Sequence, residues 1–161
     1  IRCFYCMPET GAEYAPLIAQ LPFAQSTRFV PIAVPLALTK IQLTGGAPLL
    51  RPSLSALIEK LAAQKGLRDL ALTTNAVLLA GHAKSLYNAG LRRLNIHLDT
   101  LDPERFAQIT RRDELPRVLA GIDAALEAGF PVIKLNAVAI KGLTEPDVVS
   151  LVRFGRATKS R

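Results

Sequence analysis

Cysteine is nearly missing from this sequence: two residues in 161, Cys3 and Cys6. Two cysteines cannot build the disulfide framework of a small secreted domain. Histidine is as scarce. His82 and His97 lack the spacing to the cysteines that a four-ligand zinc finger uses. No apolar run reaches the roughly 18–20 residues needed to cross a bilayer. The stretch 29–38 comes nearest, but it is short and holds Pro31 and Pro35. No charged-then-apolar leader opens the chain, and no Met does, so Ile1 is not expected to be the natural start. These absences predict a cytoplasmic protein with no membrane partner. Aromatic residues make up 6% and do not alternate with basic ones. That removes the stacking platform of a nucleic-acid surface, so no nucleic acid is expected as partner. The formal charge of +7 suits a phosphate-bearing small molecule at least as well.

What is present is a regular alternation. Half the residues are apolar and a fifth are charged, which is the composition of a folded globular domain. From residue 40 onward, short β-branched apolar runs alternate with stretches of helical period. Strands are predicted at 40–44, 69–74, 93–99 and 131–140. Helices are predicted at 53–65, 78–89, from Asp102 onward, at 115–128 and at 145–156. Leu54, Leu57, Ile58 and Leu61 share one helical face, as do Leu115, Val118, Ile122 and Leu126. Asp102-Pro103 reads as an N-cap followed by proline at the first helical position. Alternation at this spacing means βαβ units and a parallel sheet, hence an α/β fold. Ahead of residue 40 a helix over about 23–37 is expected, broken by Pro31 and Pro35, because an interior proline costs about 3 kcal/mol.

The strands have an unusual second face. Strands buried on both sides are apolar throughout. Here Gln42 and Thr44, Thr73 and Asn75, Asn95, His97 and Asp99, and Lys134 and Asn136 recur at the two-residue period of one strand face. Burying so many polar groups without partners would cost roughly 1–3 kcal/mol each. They are therefore expected to line a wet, ligand-binding side near the carboxyl ends of the strands, where parallel sheets place their sites. Lys134 should face an anion there, either Asp99 or a ligand phosphate. Gly45-Gly46, directly after a strand, would let a ligand approach the backbone. Cys3-Phe-Tyr-Cys6 supplies two thiolates one turn apart, suited to zinc, to an iron–sulfur cluster or to redox dithiol chemistry.

Five motifs occur in order: Cys3-Phe-Tyr-Cys6-Met-Pro-Glu9, Leu43-Thr-Gly-Gly46-x-Pro48-Leu-Leu-Arg51, Leu72-Thr-Thr-Asn75, Leu94-Asn-Ile-x-Leu98-Asp99-x-Leu101-Asp102, and Lys134-Leu-Asn136. In these the chain resembles the radical S-adenosylmethionine (SAM) enzymes of the GTP 3′,8-cyclase family, which act first in molybdenum cofactor biosynthesis. The resemblance implies an incomplete TIM-type (β/α) barrel, with 1–161 a partial radical SAM core lacking the first strand and the C-terminal cluster region. It implies a lyase that cyclises GTP through a 5′-deoxyadenosyl radical, using a 4Fe-4S cluster and SAM as cofactors. In that scheme Cys3 and Cys6 are cluster ligands, Tyr5 and Gly46 bind SAM, and Thr73 and Lys134 bind GTP. A homodimer is compatible with it. The family's first cluster cysteine falls two positions before Ile1. Gln42, Ala47, Ala76 and His97 stand where the family has Arg, Glu, Gly and Ser. Two other readings stay open: a decayed, inactive member of the family, and a Cys-x-x-Cys metal or redox module.

Overall fold

The computed structural model describes residues 1–8, 10 and 22–159. Glu9 of the first motif and the stretch 11–21 lie outside the described residues. Four strands, β1 (Lys40–Leu43), β2 (Asp69–Thr74), β3 (Arg93–His97) and β4 (Val132–Asn136), form one parallel sheet in the order β1-β2-β3-β4. Sheet order follows chain order, as expected when each strand returns through a helix to pair with the one before it. The helices are α1 (Phe23–Ala33), α2 (Leu54–Ala62), α3 (Ala83–Asn88), α4 (Pro103–Thr110), α5 (Leu115–Glu127) and α6 (Val148–Lys159). The sheet is open, the α/β arrangement of a partial barrel.

The two faces of the sheet separate as the alternation predicts. Leu70 and Leu72 of β2 and Leu94 and Ile96 of β3 are buried in one apolar core with Leu57 and Ile58 of α2 and Val118 and Ile122 of α5. On the other face, Thr73, Asn95 and Lys134 stand side by side in register. Gln42, Lys134 and Asn136 are exposed and Thr73, Asn95 and His97 half-buried. These polar groups therefore keep access to water and avoid the desolvation cost that made them conspicuous in sequence, whereas Asp99, which is buried, offsets it with hydrogen bonds to Tyr5, His97 and Val138.

Several element boundaries differ from expectation, for local reasons. The predicted helix 78–89 is a 3-10 turn, Leu79–Gly81, followed by α3. His82 sits between them as the N-cap of α3, outside helical geometry. The helix expected over 145–156 likewise opens as a 3-10 turn, Glu145–Asp147, with Pro146 near its start, before α6. The helix ahead of β1 runs through Pro31 to Ala33 and tightens into a 3-10 turn, Val34–Leu36, around Pro35. Pro31 lies in its last turn, so the one i→i−4 bond its missing N–H removes, to the Thr27 carbonyl, falls near the end of the helix. Strand β4 stops at Asn136, short of residue 140. Beyond it, the Val138 N–H is turned to the Asp99 carboxylate at 2.7 Å and is unavailable to a ladder.

Candidate functional site

The N-terminal loop reaches the sheet by backbone hydrogen bonds, not by side-chain burial alone. The Arg2 N–H donates to the Thr110 carbonyl at 2.9 Å and the Phe4 N–H to the Ile109 carbonyl at 3.0 Å. The loop is thereby clamped along the C-terminal end of α4. The Cys6 and Met7 N–H groups both donate to the Cys3 carbonyl at 3.1 and 3.0 Å, closing a tight turn. Arg111, at the left-handed C-cap of α4, adds a bond to the Met7 carbonyl at 3.2 Å. Held from both sides, Cys3 is buried and Cys6 exposed, and both thiols are free.

This clamp brings three parts of the chain to one point over the carboxyl end of β3. The Tyr5 hydroxyl donates to Asp99 Oδ2 at 2.6 Å and lies 2.5 Å from His97 Nε2. His97 Nε2 is 3.1 Å from the same Oδ2. The donor atoms of Cys3, His97 and Asp99 all lie within 4.8 Å of one another. Asp99 is 4% exposed, and its other oxygen accepts from Val138 N–H.

The electrostatics follow from these contacts. Hydrogen bonding to Asp99, then to Cys3, pushes His97 up to about 9 against the opposing effect of burial. Burial raises the Cys3 thiol, but hydrogen bonding to His97 and Tyr5 and the His97 charge outweigh it, and the net is below the ordinary thiol value. For Asp99 burial is again outweighed, here by His97, Tyr5 and the Val138 N–H, which hold the carboxyl low. Burial and the Asp99 carboxylate push the Tyr5 phenol far up, so it stays a proton donor. Burial and the neighbouring Cys3 charge raise Cys6. Near neutral pH the site therefore carries an imidazolium among acidic groups.

The residues read from sequence are thus only partly assembled. Cys3, Cys6 and Tyr5 share the β3 site. Thr73 lies one strand away, on β2, where its hydroxyl accepts from Gln42 Nε2 at 2.7 Å. Gly45 and Gly46 are exposed in the loop after β1. Gly45 has φ 149° and open space where a Cβ would stand. Lys134 does not pair with Asp99, which is spent on Tyr5, His97 and Val138. Lys134 is exposed and forms no ion pair among the described residues. It shares with Asp99 the walls of a cleft of about 530 Å³ between β4 and α6. Sequence reading placed His97 and Asp99 on one polar strand face, but took His97 as a departure from the family pattern and Asp99 as a partner for lysine. Their i, i+2 spacing put both on that face, and what it did not carry was their contact with each other and with Tyr5.

Ala76 takes φ 61°, the left-handed conformation that favours glycine, at the position where the family resemblance expects Gly. Its methyl is fully buried in the core, and its N–H is held by Thr74 Oγ1 at 3.1 Å. The turn that follows Thr73 is thereby fixed without glycine.

Known proteins match this arrangement closely in sequence and more widely in fold. A GTP 3′,8-cyclase of Rhodopirellula baltica is 52% identical over 155 residues, covering 96% of this chain and 43% of that protein. GTP 3′,8-cyclase 1 of Pseudomonas aeruginosa is 50% identical, covering 97% and 47%. The chain therefore spans about half the length of the curated relatives it matches. Among solved structures, the FeFe-hydrogenase maturase HydG superposes with a TM-score of 0.63 at 16% identity, over 81% of this chain and 30% of its own. TYW1 with a lysine-pyruvate adduct superposes with 0.62 at 17%, over 98% and 57%. At these identities the structural likeness speaks for the fold alone. The sequence profile of the Radical SAM superfamily matches residues 1–155, taking in both cysteines, all four strands and the polar face between them, and the chain belongs to that superfamily.

Proposed function

We propose that this chain is the cofactor- and substrate-binding core of a radical SAM lyase that cyclises GTP. The carrying observation is the 52% identity to a GTP 3′,8-cyclase across 96% of the chain. The site chemistry agrees with it. Cys3 and Cys6 are unpaired thiols on one turn, close enough that the Cys3 charge raises Cys6. Cys3 lies below the ordinary thiol value, and a thiolate is the form that ligates iron. The pair fits two positions of a 4Fe-4S cluster, which when bound supplies the electron that cleaves SAM. Tyr5, in the N-terminal loop clamped to α4, and Gly46, in the loop after β1, then stand on the cofactor side.

Thr73 and Lys134 serve GTP. Lys134, an ammonium with no ion-pair partner among the described residues, offers its charge to a phosphate. The Thr73 hydroxyl already accepts from Gln42, so its own proton remains free for a ligand oxygen. Gln42 and His97, two of the four departures from the family pattern, are bound into hydrogen-bond networks, which favours a working site over a decayed one. The same reading places the protein in the cytoplasm, with GTP as its partner, neither nucleic acid nor membrane, and room for a homodimer. Among the described residues no helix is long and apolar enough to cross a membrane.

The test is anaerobic reconstitution with iron and sulfide of the protein that carries this chain. Visible iron–thiolate absorption, SAM cleavage and GTP consumption are expected, with Cys6→Ser losing the absorption. Lys134→Ala should raise KM for GTP roughly tenfold or more, the loss of one charge-assisted hydrogen bond worth about 1.5–3 kcal/mol. SAM cleavage indifferent to GTP, or a KM unmoved by Lys134→Ala, would count against the assignment.

A further inference from the structure

The cysteine loop is held from one side by α4. The Arg2 and Phe4 N–H groups donate to the Thr110 and Ile109 carbonyls, and Arg111, at the C-cap of α4, reaches the Met7 carbonyl. Anchors on one element fix a loop's distance from that element but not its tilt toward another. A further tie runs to the sheet, through Asp99. Its Oδ2 accepts from the hydroxyl of Tyr5, which stands between Cys3 and Cys6, at 2.6 Å. Its Oδ1 accepts from the Val138 N–H at 2.7 Å, just past β4, the strand that carries Lys134. We propose that Asp99 is a positioning residue: holding Tyr5 with one oxygen and Val138 with the other, it sets the cysteine loop against the end of β4, and so the cofactor side against the GTP side. The inference rests on the proposed function for what each side binds.

The carboxylate is placed for this use. Asp99 is 4% exposed, and a buried carboxylate needs partners. Its donors are divided by oxygen: Oδ1 takes one main-chain N–H, and Oδ2 takes the Tyr5 hydroxyl and His97 Nε2. Hydrogen bonds to an ionised group are about twice as strong as neutral ones. The end of β4 is fixed in turn. The buried Thr144 hydroxyl donates to the Val138 carbonyl at 3.1 Å and accepts from the Ile140 N–H at 2.7 Å. Val138 is thus held through both of its main-chain groups. The sheet itself has its own bond here, from the Leu98 N–H to the Asn136 carbonyl at 3.0 Å, so Asp99 joins parts that the β3–β4 ladder does not. Asp99 and Lys134 line one cleft. A loop that moves relative to Asp99 therefore moves relative to Lys134. A misplacement of about 1 Å can cost about a hundredfold in rate, while the charge that Lys134 offers to a phosphate stays where it was.

The test reads the tie first without cofactor or substrate. In the metal-free protein that carries this chain, amide hydrogen exchange at Arg2 and Phe4 reports opening of the loop, and exchange at Leu98 reports the sheet end. Tyr5→Phe removes the donor and leaves Asp99 Oδ2 to His97. Asp99→Asn keeps an acceptor for Val138 and puts an NH2 group, which accepts nothing, in place of Oδ2. Each variant is expected to speed exchange at Arg2 and Phe4 at least about tenfold, through loss of one charge-assisted bond, with Leu98 staying within about twofold. The double variant should match the singles, because both cut the same bond. Unchanged exchange at Arg2 and Phe4 in both variants would overturn the proposal. Leu98 exchange rising with theirs would make Asp99 a residue that merely holds the sheet, and would overturn it equally. In the reconstituted protein, Tyr5→Phe should lower kcat for GTP consumption about tenfold to a hundredfold, with KM for GTP within about threefold and more SAM cleaved per GTP consumed. A raised KM at unchanged kcat would refute positioning. A protein that consumes no GTP before any substitution would refute the proposed function, and the exchange rates would still decide the tie.

Discussion

Replacing Gly121 by alanine should destabilise the fold even though it puts a better helix former into α5. Taken alone, Gly→Ala in a helix interior gains about 1 kcal/mol. At this position a Cβ would meet the Ala76 carbonyl oxygen at 2.4 Å and Leu79 Cβ at 3.1 Å. Relief requires α5 and the turn after β2 to separate by roughly 1 Å, at the overpacking cost of about 1–3 kcal/mol. The turn cannot yield freely. Ala76 holds φ 61°, and its carbonyl accepts from the Leu79 N–H at 2.9 Å, a bond worth about 1 kcal/mol if stretched away. The two penalties exceed the helix gain, leaving a net loss of roughly 1–3 kcal/mol. In a domain of this size that lowers Tm by about 3–10 °C. Urea titration followed by circular dichroism reads it as a lower midpoint at unchanged slope. Gly81→Ala, where a Cβ meets nothing within 4 Å, is the control and should leave the midpoint in place or raise it slightly. A Gly121→Ala chain as stable as its parent would show that α5 does not rest on the Ala76 turn, and the packing argument would fail. The consequence reaches the site, because that turn follows directly on the end of β2, which carries Thr73.

Three further outcomes follow from the structure. His97 is raised from 6.5 to about 9, so its contribution is complete below pH 6.5 and is lost as pH climbs through 9. At about 1.4 kcal/mol per pH unit that is on the order of 3 kcal/mol, eased at the alkaline end as the lowered Cys3 thiol ionises. Stability of the metal-free chain should therefore fall from pH 6.5 upward, and His97→Gln should flatten the curve; an equal slope in the variant refutes the assignment to His97. Asp102 caps α4 through Oδ1, which accepts from the Arg105 N–H at 2.8 Å, so Asp102→Ala should cost about 1 kcal/mol in urea unfolding. Ala37 is exposed at φ 72°, so Ala37→Gly should be neutral or up to about 1 kcal/mol more stable, and a clear loss in the melt would contradict the strain.

The sequence alone determined which elements exist and which faces they show. The 3.6 and 2.0 periods are properties of each segment by itself, so Leu57, Ile58 and Leu61 announce a buried helical face. Gln42, Thr73, Asn95 and Lys134 announce a polar strand face, before any tertiary contact is known. The alternation announces a parallel sheet, but the order β1-β2-β3-β4 belongs to the tertiary structure, since βαβ units also build doubly wound sheets of other order. The interruptions at Leu79–Gly81 and Glu145–Asp147 were not legible, because a 3-10 turn and an α-helix present nearly the same apolar spacing over one turn. The decision to join Cys3 and Tyr5 to His97 and Asp99, more than ninety residues away, belongs to the tertiary structure. It depends on two backbone hydrogen bonds from the N-terminal loop to Thr110 and Ile109, and every amide N–H can make such a bond, so no residue type records it. Burial then did what spacing could not. By holding Asp99 out of water beside Tyr5 and His97, it withdrew that carboxylate from Lys134 and left the lysine's charge exposed along the cleft.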